Sequence, residues 1–322
     1  MAEPEVLLAA RADTGEGPVW DSDRGGLWWV DIPRGEVHFL DPSTGGDQRW
    51  VVGQPIGTVA LARGGGLLLA MRDGLAVAKE DLADASVQWT LPGEPAGNRP
   101  NDGRVDSRGR FWIGTMALDH HRGAGSLYRT NFGAEPPEIV RVLDGVSISN
   151  GIDWSPGGTL MYYADSPTRR VDVFDWDEDG GMISRRRPFV TLAAGDGVPD
   201  GLCVDADGFI WVALWGGSAV RRYRPDGTLD REVRLPVTQV TSCAFGGPDL
   251  DELFITTAAG GLTEEEPMAG AIFRYRPGCQ GRQPNRALVH PLPAGEQSIG
   301  PHPYRRSARR VGERVEEEVE EE

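Results

Sequence analysis

One phrase recurs along this chain of 322 residues and limits its fold more than any other feature. Residues 148–177 read ISNGIDWSPGGTLMYYADSPTRRVDVFDWD: a short strand, a Pro-Gly-Gly turn, an apolar-aromatic strand and a third, alternating strand. Almost the same phrase stands at residues 200–226, DGLCVDADGFIWVALWGGSAVRRYRPD, and at 16–41, EGPVWDSDRGGLWWVDIPRGEVHFLD. Six such units can be aligned. Their second strands read LWWVDI (27–32), LLLAM (67–71), FWIGTM (111–116), LMYYAD (160–165), FIWVAL (209–214) and LFITTA (253–258). Their third strands read EVHFLD, LAVAKE, SLYRT, VDVFDW, VRRYR and AIFRYR. Weaker fourth strands follow as RWVVG, VQWTL, EIVRVL, PFVTL and REVRL. No helical periodicity intervenes.

Six four-stranded antiparallel units of about 40–50 residues specify an all-β fold, a six-bladed β-propeller with its blades stacked around a central channel. A β-sandwich would not repeat one phrase six times. The 44 glycines and 24 prolines suit the many tight turns such a fold needs. The sixth unit lacks a clear outer strand. EVLLAA (5–10) is expected to supply it and close the ring, with residues 287–290 as the rival. Residues 1–304 form the propeller domain in this reading. The remainder, 305–322, is a charged tail, basic then acidic, expected to stay solvated and disordered.

A net charge of −16 argues against a nucleic-acid partner. No apolar run reaches the ~18–20 residues of a membrane helix, and the first residues lack the basic and apolar regions of a signal peptide. The three cysteines, Cys203, Cys243 and Cys279, match no zinc spacing or disulfide framework. Cys203 and Cys243 fall on equivalent strands of neighbouring units and read as buried free thiols. A cytoplasmic protein, monomeric or a small homo-oligomer, fits these features. Lys79 is the one lysine, which weakens any Schiff-base chemistry.

Aligning the units on their first strands brings Glu16, Gly57, Asn101, Asn150, Asp200 and Thr241 into register. First strands line the axis of a propeller, so these positions form a ring at one mouth of the channel. Two carboxylates and two amides converging there, with no cation among them, would repel or stay unpaired at a cost. A hard divalent cation on oxygen ligands would resolve this. The alternative is that these side chains only cap turns between blades, as Asx-Gly pairs often do. Strand direction puts the loops between second and third strands over the same mouth. Arg99, Asp119, His120 and His121 are therefore candidate rim residues, although the histidine pair also reads as a solvated loop. No G-x-S-x-G elbow, Walker loop, H-E-x-x-H or dinucleotide fingerprint is present.

The segments GEGPVWD (15–21), NRPNDGRVDSRGRFWIGTM (98–116), SNGIDWS (149–155), VPDGLCVDADGFIWVA (198–213) and TSCAFGG (241–247) resemble the senescence-marker-protein/regucalcin/gluconolactonase family, which includes luciferin-regenerating enzymes. The resemblance runs in order from about Val6 to Pro277. It implies a six-bladed propeller that binds one divalent metal, Ca²⁺ in first place with Zn²⁺, Mn²⁺ or Mg²⁺ as alternatives. The implied metal ligands are Glu16, Asn150 and Asp200. Arg99 and Asn101 correspond to substrate-contacting positions. Asp119 falls where the family usually has Glu, which leaves the choice of substrate open. The implied activity is a metal-dependent lactonase acting on a small sugar lactone; Asp200, at the metal, is the candidate general base. A calcium-binding regulatory protein of the regucalcin type without turnover is the first alternative. A propeller serving only as a protein-binding platform is the second, and it leaves the ring of oxygens unexplained.

Overall fold

The six sequence units become six antiparallel sheets. The computed structural model describes residues 3–79, 81–83, 85–134, 136–262, 266–289 and 309–310. Blade 1 is built from Gly15–Asp21, Gly26–Asp31, Glu36–Asp41 and Gly46–Val51; Arg309–Arg310 pairs outside the last of these. Blade 3 runs Asn98–Val105, Phe111–Ala117, Gly125–Asn131 and Glu138–Val146. Blade 4 runs Ser149–Trp154, Leu160–Asp165, Arg170–Asp177 and Met182–Thr191. Blade 5 runs Val198–Val204, Ile210–Trp215, Ala219–Tyr223 and Leu229–Arg234. Neighbouring first strands pack side by side in a closed circle, which is the propeller expected from the repeats. The only helical turn among the described residues is Ser166–Thr168, and none of their helices is long and apolar enough to cross a membrane.

Blade 6 closes the ring. Its strands Val240–Gly246, Glu252–Thr257 and Ile272–Tyr275 take Glu5–Leu8 as their outer member, in the register Glu5 to Arg274 and Val6 to Phe273. Arg274 Nε and Nη2 both donate to Glu5 Oε1, at 2.8 and 2.6 Å. The N-terminal segment is thus the closing strand. The rival segment lies elsewhere: Ala287 bridges in parallel to Ala62, between blades 2 and 3. His290, at its end, is outside the described residues.

Blade 2 departs from expectation. Among the described residues it has three strands, Ile56–Leu61, Leu67–Met71 and Gly74–Ala78. The expected fourth, around VQWTL, is reduced to a bridge between Leu75 and Trp89. The reason is local. The Gln88 side chain takes over the backbone pairing, accepting from Val77 N–H and donating to Val77 C=O at 3.2 and 3.1 Å. A side chain that imitates the neighbouring strand satisfies the edge without extending the ladder.

A second regularity explains why the repeated phrase carries Asp before its turn and Trp after it. Asp21, Asp106 and Asp205 each accept the indole N–H of the tryptophan on the next strand, Trp28, Trp112 and Trp211, at 3.3, 2.9 and 3.0 Å. The other carboxylate oxygen accepts backbone N–H groups of the turn: Arg108 and Arg110 for Asp106, Asp207 and Phe209 for Asp205. All three tryptophans are fully buried. One side chain therefore fixes both the turn and the rotamer of the largest core residue behind it.

Residues 278–289 form a strap across the far mouth of the channel. Backbone and side-chain hydrogen bonds tie it to every blade. Gln280 C=O accepts from Ala206 of blade 5, and Gly281 N–H donates to Leu250 of blade 6. Arg282 reaches Trp154 C=O and Asp153 in blade 4, and Gln283 accepts from Ser22 in blade 1. Asn285 donates to Val105 C=O in blade 3, and Ala287 N–H to Leu61 C=O in blade 2. Above the strap lies a chamber of about 100 Å³, lined among others by Asp102, Arg104, Asp153 and Cys203.

Candidate metal centre

The geometry of the centre starts from an irregularity shared by all six blades. Pairing between first and second strands slips at Glu16/Val19, Ile56/Thr58, Ser149/Ile152, Pro199/Leu202 and Val240/Ser242, and opposite Ile113/Thr115 in blade 3. Each slip is a β-bulge at or beside the aligned ring position. A bulge leaves residues unpaired and re-aims their side chains. This is why an Asx-Gly phrase opens the inner strands.

Glycine is required beside the ring because the inner strands nearly touch. A Cβ on Gly151 would lie 2.7 Å from Asp200 C=O. One on Gly201 would lie 2.8 Å from Ser242 Cα. In blade 3 the second bulge residue is Asp102 rather than glycine, so a further carboxylate joins the set. The N-D-G spelling in place of N-G was the available signal for it.

Glu16, Asn101, Asn150 and Asp200 are all buried, at 5, 7, 4 and 5% exposure. Asn150 is oriented by a chain of hydrogen bonds. Its Nδ2 donates to Ser166 Oγ at 2.7 Å, and that hydroxyl donates to Pro199 C=O at 2.7 Å, next to Asp200. Asn150 Oδ1 is left facing the ring, where Asn101 Nδ2 donates to it at 2.8 Å. Asn101 Nδ2 also donates to Ser149 C=O, and its Oδ1 accepts from Arg99 Nη1 at 2.7 Å. Behind the ring, Asp31 accepts the N–H groups of Asp13 and Thr14, and Asp165 those of Ser147 and Ile148. Two strand-ending aspartates thus fix the chain just ahead of Glu16 and Asn150.

Burial first, then the charges of Asp200 and Asp102, push the Glu16 carboxyl well above the usual range, against the Gly17 N–H and Arg99. Burial and Asp102 do the same to Asp200, against the Gly201 N–H. Asp102 itself is pushed up to about 6 by burial, although Arg104 and the Gly103 N–H oppose this. Arg99 is lowered to about 10 by burial, with Glu16 pulling the other way. Among the described residues no three His, Cys, Asp or Glu side chains form a metal-holding cluster by themselves. The available donor set is two carboxylates and an oriented amide oxygen, Glu16, Asp200 and Asn150. Their chemistry fits a hard cation, because such an ion would remove the repulsion that now holds two buried acids toward protonation.

The rim residues divide. Arg99 is half-buried and hydrogen-bonded into the ring through Asn101. Leu118 N–H donates to Gly97 C=O, so the loop carrying Asp119 lies beside the connector that carries Arg99. Asp119 itself is exposed, and its carboxylate accepts the His121 N–H at 2.9 Å rather than a ring partner. His120 and His121 are exposed on the same loop. Ser166 was missed by sequence reasoning, since a serine before proline carries no metal signal of its own.

Comparison with known proteins identifies the family. A family profile described as "SMP-30/Gluconolactonase/LRE-like region" matches residues 14–259. Regucalcin of Xenopus laevis is 37% identical over 280 residues, covering 84% of this chain and 93% of the relative. YvrE of Bacillus subtilis (strain 168), whose name assigns it provisionally to the sugar lactone lactonases, is 36% identical over 281 residues, covering 85% and 94%. The crystal structure of a calcium-binding protein, regucalcin, from Agrobacterium tumefaciens str. C58 superposes with a TM-score of 0.83 at 31% identity, covering 89% of this chain and 98% of that one. The chain belongs to the SMP-30/gluconolactonase/LRE-like family.

Proposed function

We propose that the protein is a divalent-metal-dependent lactonase that opens small sugar lactones to the corresponding acids. The observation that carries this reading is the pair of buried carboxylates, Glu16 and Asp200, converging with the oriented oxygen of Asn150 at one mouth of a channel whose other mouth is strapped. Glu16, Asn150 and Asp200 are the ligands in this reading, with Ca²⁺ the first choice of ion. A cation bound there supplies a Lewis acid for a carbonyl oxygen and acidifies an adjacent water.

The chain's own groups have separate tasks. Asp200 is the general base for the attacking water in this reading. Arg99 remains charged at neutral pH, since its lowered value of about 10 still lies well above 7. Its guanidinium holds Asn101 in place and offers further N–H donors to substrate oxygens. Asp119 adds an acceptor at the rim. Donors and acceptors together suit a polyhydroxylated ring, and such a site rejects an analogue that leaves them unpaired. Kinship with a protein named for sugar lactone lactonase activity supports the same substrate class.

A second reading, a calcium-binding protein without turnover, is supported by the description of the Agrobacterium relative as calcium-binding. Turnover separates the two. The test is kcat/KM for glucono-, galactono-, xylono- and arabinonolactones beside an acyl-homoserine lactone, each with Ca²⁺, Zn²⁺, Mn²⁺ or Mg²⁺ after chelation. The sugar lactones are expected to be opened fastest. No turnover with any lactone and any ion would favour the binding protein, and fastest opening of the acyl lactone would overturn the polar-rim argument.

A further inference from the structure

The lactonase reading leaves one pair of reactive groups unused. Cys203 and Cys243 lie on the inner strands of blades 5 and 6, both free and both buried, at 3% and 0% exposure. Their Sγ atoms are 3.7 Å apart. The two strands are drawn together at Gly201, where even a Cβ would meet Ser242 Cα at 2.8 Å. A disulfide needs about 2.05 Å between sulfurs, so a modest rotation of two side chains on strands already in contact would complete the bond.

We propose that Cys203 and Cys243 form an oxidative modification site, at which a small peroxide entering the central chamber converts them to a disulfide stapling blade 5 to blade 6. Cys203 lines the chamber of about 100 Å³ between the ring and the strap. A cavity needs only ~10–15 Å³ on this measure to hold one water, so there is room for a molecule the size of hydrogen peroxide. The chamber is polar, with Arg104, Asp153 and Arg282 in its wall. Burial first, then the neighbouring Cys243, push the Cys203 thiol up, and the charge of Arg104 opposes this only in part. The reaction is therefore slow and belongs to sustained oxidative exposure rather than to rapid signalling.

The chemistry balances. The sulfur of Cys203 attacks one peroxide oxygen, the O–O bond breaks, and the departing hydroxide takes the thiol proton as water. The product is a sulfenic acid. The sulfur of Cys243 then attacks that sulfur, the S–O bond breaks, and the second hydroxide leaves with the Cys243 proton as water. Two thiols have lost two electrons and two protons, and the peroxide has become two waters. A partner thiol at 3.7 Å captures the sulfenic acid before further oxidation. Cys279 stands apart, its Sγ 3.7 Å from Asp205 Oδ2 and half-buried.

The experiment uses the full chain carrying Cys279→Ser, so that only the pair remains. It is exposed to hydrogen peroxide, and thiols are counted after denaturation. Both thiols are expected to disappear and to return on treatment with dithiothreitol. Peptide mapping should show residues 203 and 243 in one linked species, and the melting midpoint should rise by ~5 °C. Adding Cys203→Ala, or Cys243→Ala if the first does not fold, should abolish the reducible product. Mapping of the oxidised wild type supplies the same readout without any substitution. Persistence of both thiols under conditions that oxidise a surface thiol, loss that dithiothreitol cannot reverse, or a linked product with no gain in melting midpoint would overturn the proposal.

Discussion

Burial raises the carboxyl pKa of Glu16, Asp102 and Asp200, Asp102 raises both of the others and Asp200 raises Glu16, and this cost has a consequence that can be measured. A carboxyl whose folded pKa lies above its unfolded value stabilises the fold at low pH and ceases to do so as pH climbs through the folded value. For Asp102 that window runs from the ordinary carboxylate range near ~4 up to about 6. The metal-free protein should therefore lose stability relative to its Asp102→Asn variant across that window. Melting curves of both at several pH values check the sign. Asp200→Asn removes a buried charge that only a cation would justify. It is expected to raise the melting point of the metal-free protein at pH 7, to abolish any rise produced by Ca²⁺, and to cut turnover by ~10²–10⁴-fold. A variant that melts lower in the metal-free state would show that Asp200 is stabilised by something other than a cation. Ser166 orients Asn150 without belonging to the ring. Ser166→Ala should lower cation affinity by ~10–100-fold while the fold persists, and calorimetric titration reads this directly.

At the scale of the element, the Asp–Trp pairing makes blades 1, 3 and 5 stapled units. Asp106 holds the Trp112 indole, two turn N–H groups and the buried Arg110 guanidinium at 2.7 Å. Asp106→Ala leaves Arg110 uncompensated and should cost about 3–5 kcal/mol, measured as a lower urea midpoint with activity retained in whatever fraction remains folded. The blades were legible in the sequence because the period and the alternation repeat, so each weak signal is reinforced by its equivalents. The ring residues were legible for the same reason: Glu16, Asn150 and Asp200 share a register that only an alignment of repeats displays. Where a unit departs from the pattern, the reading failed locally. The fourth strand of blade 2 is replaced by the Gln88 side chain, which no strand pattern encodes. Asp102 was hidden because the register identified Asn101 and the bulge exposes its neighbour as well. Ser166 and Asp165 act through hydrogen bonds to chain ahead of the ring, and composition gives no hint of such bonds.

On the scale of the molecule, the strap at 278–289 determines which end of the channel is open. It has no periodicity and hardly any strand pairing, so the sequence offered only residues 287–290, as a rival closing strand, yet its bonds reach all six blades. Ending the chain after Pro277 should unlock the far mouth and lower the melting midpoint sharply. Ending it after Tyr304 removes only the charged tail and the short Arg309–Arg310 pairing with Trp50 and Val51. That truncation should leave both melting and turnover nearly unchanged, and a large loss of either would show that this pairing stabilises the propeller. The measurement that bears most directly on the whole account is calorimetric titration of Ca²⁺ into the chelated protein and its Asp200→Asn variant, run beside gluconolactone turnover of the same samples. One cation per chain is expected for the wild type, with turnover restored on its addition and both lost in the variant. Lactone opening that proceeds at full rate in the chelated protein, or undiminished binding in Asp200→Asn, would contradict it.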